Sequence, residues 1–260
     1  MASKGIPLDA PLFEIDPDIG VEYWNCEYVE AFYTLKGPVS ALLPEGLAPT
    51  QDPALGLFVV VDYGRSAIGP YHEAASMIQV RDEAGEVGFY VPYIYVDSDV
   101  AMAGGREAMG FPKKLASIEL IHRGDVVQGT LERPAGTRLA TITMRPNQRF
   151  DPPMEALLTP GVVNLYNLRH VPGVDGRGEL TQLVKSSTEF FPHRDARGRE
   201  IVFTGATSVA YEARSPIDPV HNLEVAEMFA GVYLEFDAVL KPVSILRESF
   251  MPALEPALTR

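Results

Sequence analysis

Cysteine is nearly absent from this 260-residue chain, which holds a single one, Cys26. No internal disulfide can form, and the usage fits a reducing compartment, so the cytoplasm is the expected location. Positive charge is also scarce: 22 Lys and Arg stand against 35 Asp and Glu, for a formal net charge of -13. A surface of that sign repels phosphate backbones and anionic headgroups, so neither nucleic acid nor a membrane is the expected partner. No apolar run approaches bilayer length, and the opening MASKGIPLDAPLFEIDPDIG holds no apolar stretch of the kind a secretion signal carries. Histidine is sparse and scattered, at 72, 122, 170, 193 and 221, with no HExxH pattern, so no metal site is expected. The glycines of AGGREAMG do not spell GxGxxG behind a strand, and no nucleotide or other cofactor is expected.

What is present reads as one globular unit. Hydrophobic residues make up 46% and charged residues 22% of the chain, an ordinary balance. Residues 1–20 read as an extended lead-in, because Pro7, Pro11 and Pro17 interrupt regular structure; residues 21–260 read as a single domain. Short apolar runs then alternate with turn signals. LGLFVVVDYG (55–64) is one strand. HEAASMIQVRD and VGFYVPYIYVDS form a hairpin across EAGE, and VVQGTLER and RLATITMR another across PAGT. ELTQLVKSSTEF is a further strand. In GVYLEFDAVL, period two gathers Val232, Leu234, Phe236, Ala238 and Leu240 on one face and leaves Glu235 and Asp237 on the other. Helix signals are fewer. SDVAMAGGREAMG offers Ser98 or Asp99 as N-cap and ends at Gly110 before Pro112. PVSALLPEG and NLEVAEMFAG are short helix candidates. Without strand–helix alternation, the pattern predicts a mainly antiparallel α+β fold.

One stretch is out of character. GGREAMGFPKKLASIEL sets Lys113 and Lys114 behind Met109, Phe111 and Pro112 and before Leu115. An exposed amine is protonated at neutral pH and cannot attack a carbonyl. Burial or a second nearby cation disfavours the charged form. In an extended segment consecutive side chains point to opposite faces. Lys114 is therefore expected to face away from Lys113, acting at longer range or pairing with an acid elsewhere, and desolvation is the larger effect on Lys113. A neutral buried lysine forms a Schiff base with a ketone, and the protonated imine then draws electrons from the adjacent carbon–carbon bond.

GGREAMGFPKKLA resembles the signature of the acetoacetate decarboxylase family, itself the standard example of a lysine activated by desolvation or a neighbouring cation. The likeness extends through VPYIYVDSDVAMAGGRE, GTLERPAGTRLATITM, LYNLRHVPGVDGRGELTQLV and LEVAEMFAGVYLEFDAVLKPVSIL, from Val21 to Leu246. It implies an antiparallel, cone-like, closed β-barrel with short flanking helices, assembled as a homo-oligomer and acting on a small oxo acid. It also implies Lys113 as the Schiff-base nucleophile, Lys114 as the neighbouring cation, and Glu73 of GPYHEAAS as a carboxylate that orients substrate or shuttles a proton.

Two positions depart from the family pattern. The segment matching Asn-Arg-Glu-Tyr, suited to holding a substrate carboxylate, reads NCEY, so Cys26 stands at the arginine. A second expected acid falls at Phe58, with Asp62 and Arg65 close but out of register. Cys26, Phe58, Arg106 and Phe111 are therefore the candidate substrate contacts, although Arg106 and Glu107 read equally as a structural pin for the lysine loop. One of Tyr90, Tyr93 and Tyr95 could line the pocket, although the three read first as wall residues. The expected reaction is decarboxylation of an acetoacetate-like substrate. Relatives that join pyruvate to an aldehyde by aldol condensation and dehydration resemble the same pattern, and a barrel that binds a small ligand without turnover is the non-enzymatic reading.

Overall fold

The computed structural model describes residues 20–150, 161–173 and 179–251. The expected lead-in therefore lies outside the described residues, apart from Gly20. Long strands carry the fold: β1 (Val21–Leu35), short β2 (Leu47–Pro49), β3 (Leu55–Ser66), β4 (Tyr71–Asp82) and β5 (Val87–Val96). Helix α1 (Asp99–Met109) and short β6 (Lys113–Leu115) follow. Next come β7 (Ser117–Arg123), β8 (Val126–Glu132), β9 (Arg138–Met144), β10 (Gln148–Arg149), β11 (Val162–Pro172) and β12 (Glu179–Pro192). The chain continues through β13 (Val202–Thr204), β14 (Thr207–Tyr211), β15 (Val225–Leu240) and β16 (Ser244–Met251).

Seven of these strands close a ring in the order β1, β3, β4, β5, β11, β12, β15 and back to β1. Each neighbouring pair is antiparallel except β5 with β11. This is the mainly antiparallel α+β architecture that the residue pattern predicts, and the closed sheet at its centre is what the family resemblance implies. The alternation read in β15 is realised in full: Val232, Leu234, Phe236, Ala238 and Leu240 all belong to the cluster inside the ring. A second sheet, β14-β9-β8-β7, packs on the outer face of β1, β3 and β4. Ile118, Leu131, Leu139 and Ile142 of that sheet meet Val29, Phe58, Val60 and Ala74 of the ring wall. Strand alternation thus feeds two cores, one inside the ring and one between the layers.

Two helix expectations change. PVSALLPEG holds only a 3-10 turn, Ser40–Leu42. NLEVAEMFAG starts in the last two residues of another, Val220–Leu223, and then becomes strand, because Val225, Glu227 and Met228 pair with Leu35, Thr34 and Tyr33 of β1. A short local pattern is overridden when its backbone can extend an existing ladder. Among the described residues no helix is long and apolar enough to cross a membrane.

Candidate active site

The lysine loop is built by α1. The Ser98 side chain accepts from the Ala101 amide at 3.3 Å and starts the helix as an N-cap. Gly110 ends it at φ 73, a left-handed conformation that glycine adopts without strain, and the Phe111 amide closes back on the Gly105 carbonyl at 3.0 Å. The chain then runs as β6 alongside β5, with Lys113 opposite Ile94 and Lys114 opposite Tyr95. Ile94 faces the ring interior and Tyr95 the layer between the sheets. The two lysines therefore leave the same strand in opposite directions.

Lys113 enters the ring. Its Nζ lies 2.8 Å from Glu73 Oε2, with the two side chains only 7% and 10% exposed. The ring centroids of Phe111 and Tyr71 stand 5.3 and 5.6 Å from that Nζ, within cation–π range. Tyr63 donates toward Glu73 Oε1 at 3.5 Å, and Tyr71 toward Tyr23 at 3.4 Å. Burial, reinforced by the Glu73 carboxylate, holds the Tyr63 and Tyr71 hydroxyls well above the ordinary tyrosine range, so both remain neutral donors. Gly105 makes room: a Cβ there would sit 2.6 Å from Lys113 Cδ. Arg106 pins the strand by donating to the Lys113 carbonyl at 3.2 Å.

A cavity of about 40 Å3 surrounds the pair, walled by Tyr23, Tyr63, Tyr71 and Phe111. It shares Glu73, Met77, Leu165, Phe190 and Phe236 with a chamber of about 470 Å3 that continues through the ring. Among the described residues lining the two spaces, Lys113 is the sole cation.

The predicted site residues separate into two groups. Lys113, Glu73 and Phe111 come together. Lys114 does not join them; its Nζ reaches the Ile217 carbonyl and Asp218 Oδ1, the latter at 3.0 Å. Asp218 is 1% exposed and also receives Arg133 at 3.1 Å and Tyr95 at 3.4 Å. Arg106 touches backbone and lines neither cavity, the pin rather than the substrate contact.

Phe58 also departs from its expected place. It is fully buried between the layers, its ring 5.9 Å from that of Tyr211, because alternation turns its neighbours Leu57 and Val59 inward instead. Cys26 does face the ring interior, yet it lines neither cavity. Burial pushes its thiol up to about 12, which leaves it neutral. Asp62 pairs with His72 on the far face, and Arg65 lies over the Trp24 ring. Tyr90, Tyr93 and Tyr95 pack into or against the core between the layers, so none of them lines the Lys113 cavity.

The residues not foreseen are Tyr23, Tyr63, Tyr71 and Glu30. The tyrosines converge only because β1, β3 and β4 are lateral neighbours in the ring; Tyr63 pairs directly with Tyr71. Glu30 did leave a signal. It falls between Tyr28 and Phe32 at period two, an acid on the apolar face of β1. Burial pushes its carboxyl up to about 8, opposed in part by a hydrogen bond with Tyr28.

The closed, mainly antiparallel ring with its outer four-stranded layer is similar to the solved structures of acetoacetate decarboxylase and an acetoacetate decarboxylase-like enzyme. The chain belongs to the acetoacetate decarboxylase family, whose sequence model matches residues 7–249. Acetoacetate decarboxylase 3 of Mesorhizobium japonicum is 31% identical over 184 residues, 69% of this chain and 68% of that protein. The crystal structure of acetoacetate decarboxylase from Legionella pneumophila superposes with a TM-score of 0.82 at 23% identity, covering 95% of this chain and 94% of that one. The enduracididine biosynthesis enzyme MppR, solved in complex with pyruvate, shares the fold with a TM-score of 0.71 at 20% identity, over 92% and 93% of the two chains.

Proposed function

We propose that this chain decarboxylates a β-oxo acid through an imine on Lys113. The observation that carries the reading is the Lys113–Glu73 pair, 2.8 Å apart and walled by aromatic rings at the end of an apolar cavity. Before attack, Nζ must release a proton, and Glu73 Oε2 is an acceptor within hydrogen-bond reach. Nζ then adds to the keto carbon, and the carbinolamine loses water to give a protonated imine. The electrons of the bond to the carboxylate carbon flow toward the imine nitrogen as CO2 departs. The resulting enamine takes a proton on carbon, for which Glu73 is the placed donor, and water releases the ketone and the free amine. Neutral tyrosine hydroxyls at the cavity wall suit the carbinolamine oxygen as hydrogen-bond donors.

A second reading keeps the same lysine and changes the product. Cys26 stands where the family pattern has a carboxylate-holding arginine, and the fold is shared with a protein solved in complex with pyruvate. An aldolase–dehydratase would join pyruvate to an aldehyde without losing CO2. Incubation with acetoacetate, and separately with pyruvate plus an aldehyde, separates the two by product. The decarboxylase reading expects CO2 from acetoacetate above the spontaneous rate, abolished in Lys113→Ala. A new carbon–carbon bond without CO2 would replace it with the aldolase. Ligand binding that survives Lys113→Ala, with no turnover of either kind, would leave only a carrier.

A further inference from the structure

The space beyond the lysine is too large and too apolar for a four-carbon acid. The cavity at Lys113 holds about 40 Å3, enough for a reacting head group, whereas the adjoining chamber holds about 470 Å3. That second volume falls within the roughly 300–1,000 Å3 of sites that take drug-sized ligands. Its walls are Phe32, Leu57, Val59, Val61, Phe89 and further side chains drawn from all seven strands of the ring. Val87, Val162 and Phe229 line it while themselves exposed, marking where it meets solvent.

The polar points of the chamber select against charge. Its described lining holds no arginine, lysine or histidine that could grip a second carboxylate or a phosphate. Glu30 is its acid beyond the one paired with Lys113; burial pushes that carboxyl up to about 8, so at neutral pH it is protonated and invites no cation. Gln79, Asn164 and Thr188 are neutral. An uncharged apolar group is what such walls desolvate without leaving a charge unpaired.

Resting on the imine reading above, we infer that the physiological substrate is a β-oxo acid whose keto carbon bears an extended apolar substituent, an alkyl chain of about six carbons or more or an aryl group. The carboxylate-bearing arm stays at Lys113 and the substituent fills the chamber along β1 and β3. The reaction consumes one proton and converts the acid to CO2 and the matching methyl ketone. The enzyme that supplies it must therefore make apolar β-oxo acids, by chain extension of an acyl group or by release of one from a carrier.

The test is a chain-length series of β-oxo acids, from acetoacetate to 3-oxododecanoate, with spontaneous loss subtracted, run on the full chain. The expected result is a rise in kcat/KM on the order of threefold per added methylene until the chamber is full. Leu57→Trp, which fills the chamber, is expected to collapse the ratio of long-chain to short-chain kcat/KM. Phe229→Asp, at an exposed position, lowers the same ratio without touching the core. Turnover of acetoacetate with no gain along the series would overturn the substrate class and leave the imine reading intact. If nothing is turned over, binding of 2-nonanone to Lys113→Ala, followed by calorimetry, decides between the two. Micromolar binding would keep the apolar chamber as a ligand site and remove the decarboxylase. Absence of both turnover and binding would overturn both.

Discussion

The ring interior and the layer between the sheets are built from the same strands, yet they treat buried charge in opposite ways. Between the layers, two groups of polar side chains are tied into networks. Asp218 holds Lys114, Arg133 and the Tyr95 hydroxyl, and Tyr211 is shared by Tyr33 at 2.7 Å and Ser76 at 3.2 Å. Inside the ring, Lys113 and Glu73 have each other and a hollow beside them. A satisfied network stiffens the core it crosses. A charge pair facing an empty space can instead exchange its partner for a substrate. Two consecutive lysines thus meet opposite surroundings because β6 sends one to each side, and the lesson is that adjacency in sequence says little about adjacency of charge in a strand.

Breaking the hollow side should be felt in chemistry and breaking the filled side in stability. The largest effect is expected from Glu73→Gln, which keeps the shape but removes the proton acceptor beside Nζ; kcat should fall about 100- to 10,000-fold with the folded state retained, measured by steady-state turnover and circular dichroism. Gly105→Ala comes next. The added Cβ would sit 2.6 Å from Lys113 Cδ and push that side chain aside. Displacement by about 1 Å costs on the order of 100-fold, while alanine in a helix offsets the strain, so activity should drop far more than Tm.

On the filled side, Asp218→Ala should lower stability by about 2–4 kcal/mol in denaturant unfolding, because it strands two cations and a tyrosine hydroxyl, while activity per folded molecule changes by only a few-fold.

Glu30→Gln sharpens the comparison by pH. The Glu30 carboxyl titrates near its ordinary 4.5 when unfolded and at about 8 when folded. The folded state thus holds its proton more tightly, and the stability this confers is complete below about pH 4.5 and lost as pH rises to about 8. The glutamine variant lacks that loss. Its Tm, relative to the parent, should be level at pH 4.5, climb through the interval and flatten above pH 8 in scanning calorimetry; a constant offset at all pH values would contradict the assignment. The smallest effect is expected from Lys114→Met, about 1 kcal/mol of stability, since Arg133 and Tyr95 still hold Asp218, with no change in the pH–rate profile.

Much of this was legible in the residues. The hairpins across EAGE and PAGT, the inward face of β15 and the Ser98-to-Gly110 helix are local signals that the tertiary structure reinforces. The lysine loop was legible through the extended family-like block around GGREAMGFPKKLA; by itself a lysine pair at a strand start reads as a solvated basic pair. What failed was lateral. A one-residue slip turns a strand residue to the opposite face, and that is what separates Phe58 from the ring interior. A bulge between Tyr23 and Cys26, with Asn25 at φ 53, lets both of those residues face inward despite their odd spacing. The tyrosine trio at Lys113 comes from three strands and carries no motif, and NLEVAEMFAG looked helical because its pairing with β1 lies about 190 residues away in the chain.

The central claim is that Lys113, and not its neighbour, carries the covalent chemistry. Borohydride reduction in the presence of a β-oxo acid, followed by peptide mapping of the trapped adduct, tests it most directly. The account predicts a substrate-dependent mass gain on Lys113 alone, lost in Lys113→Ala and kept in Lys114→Met. An adduct on Lys114, or one that persists when Lys113 is replaced, would contradict it.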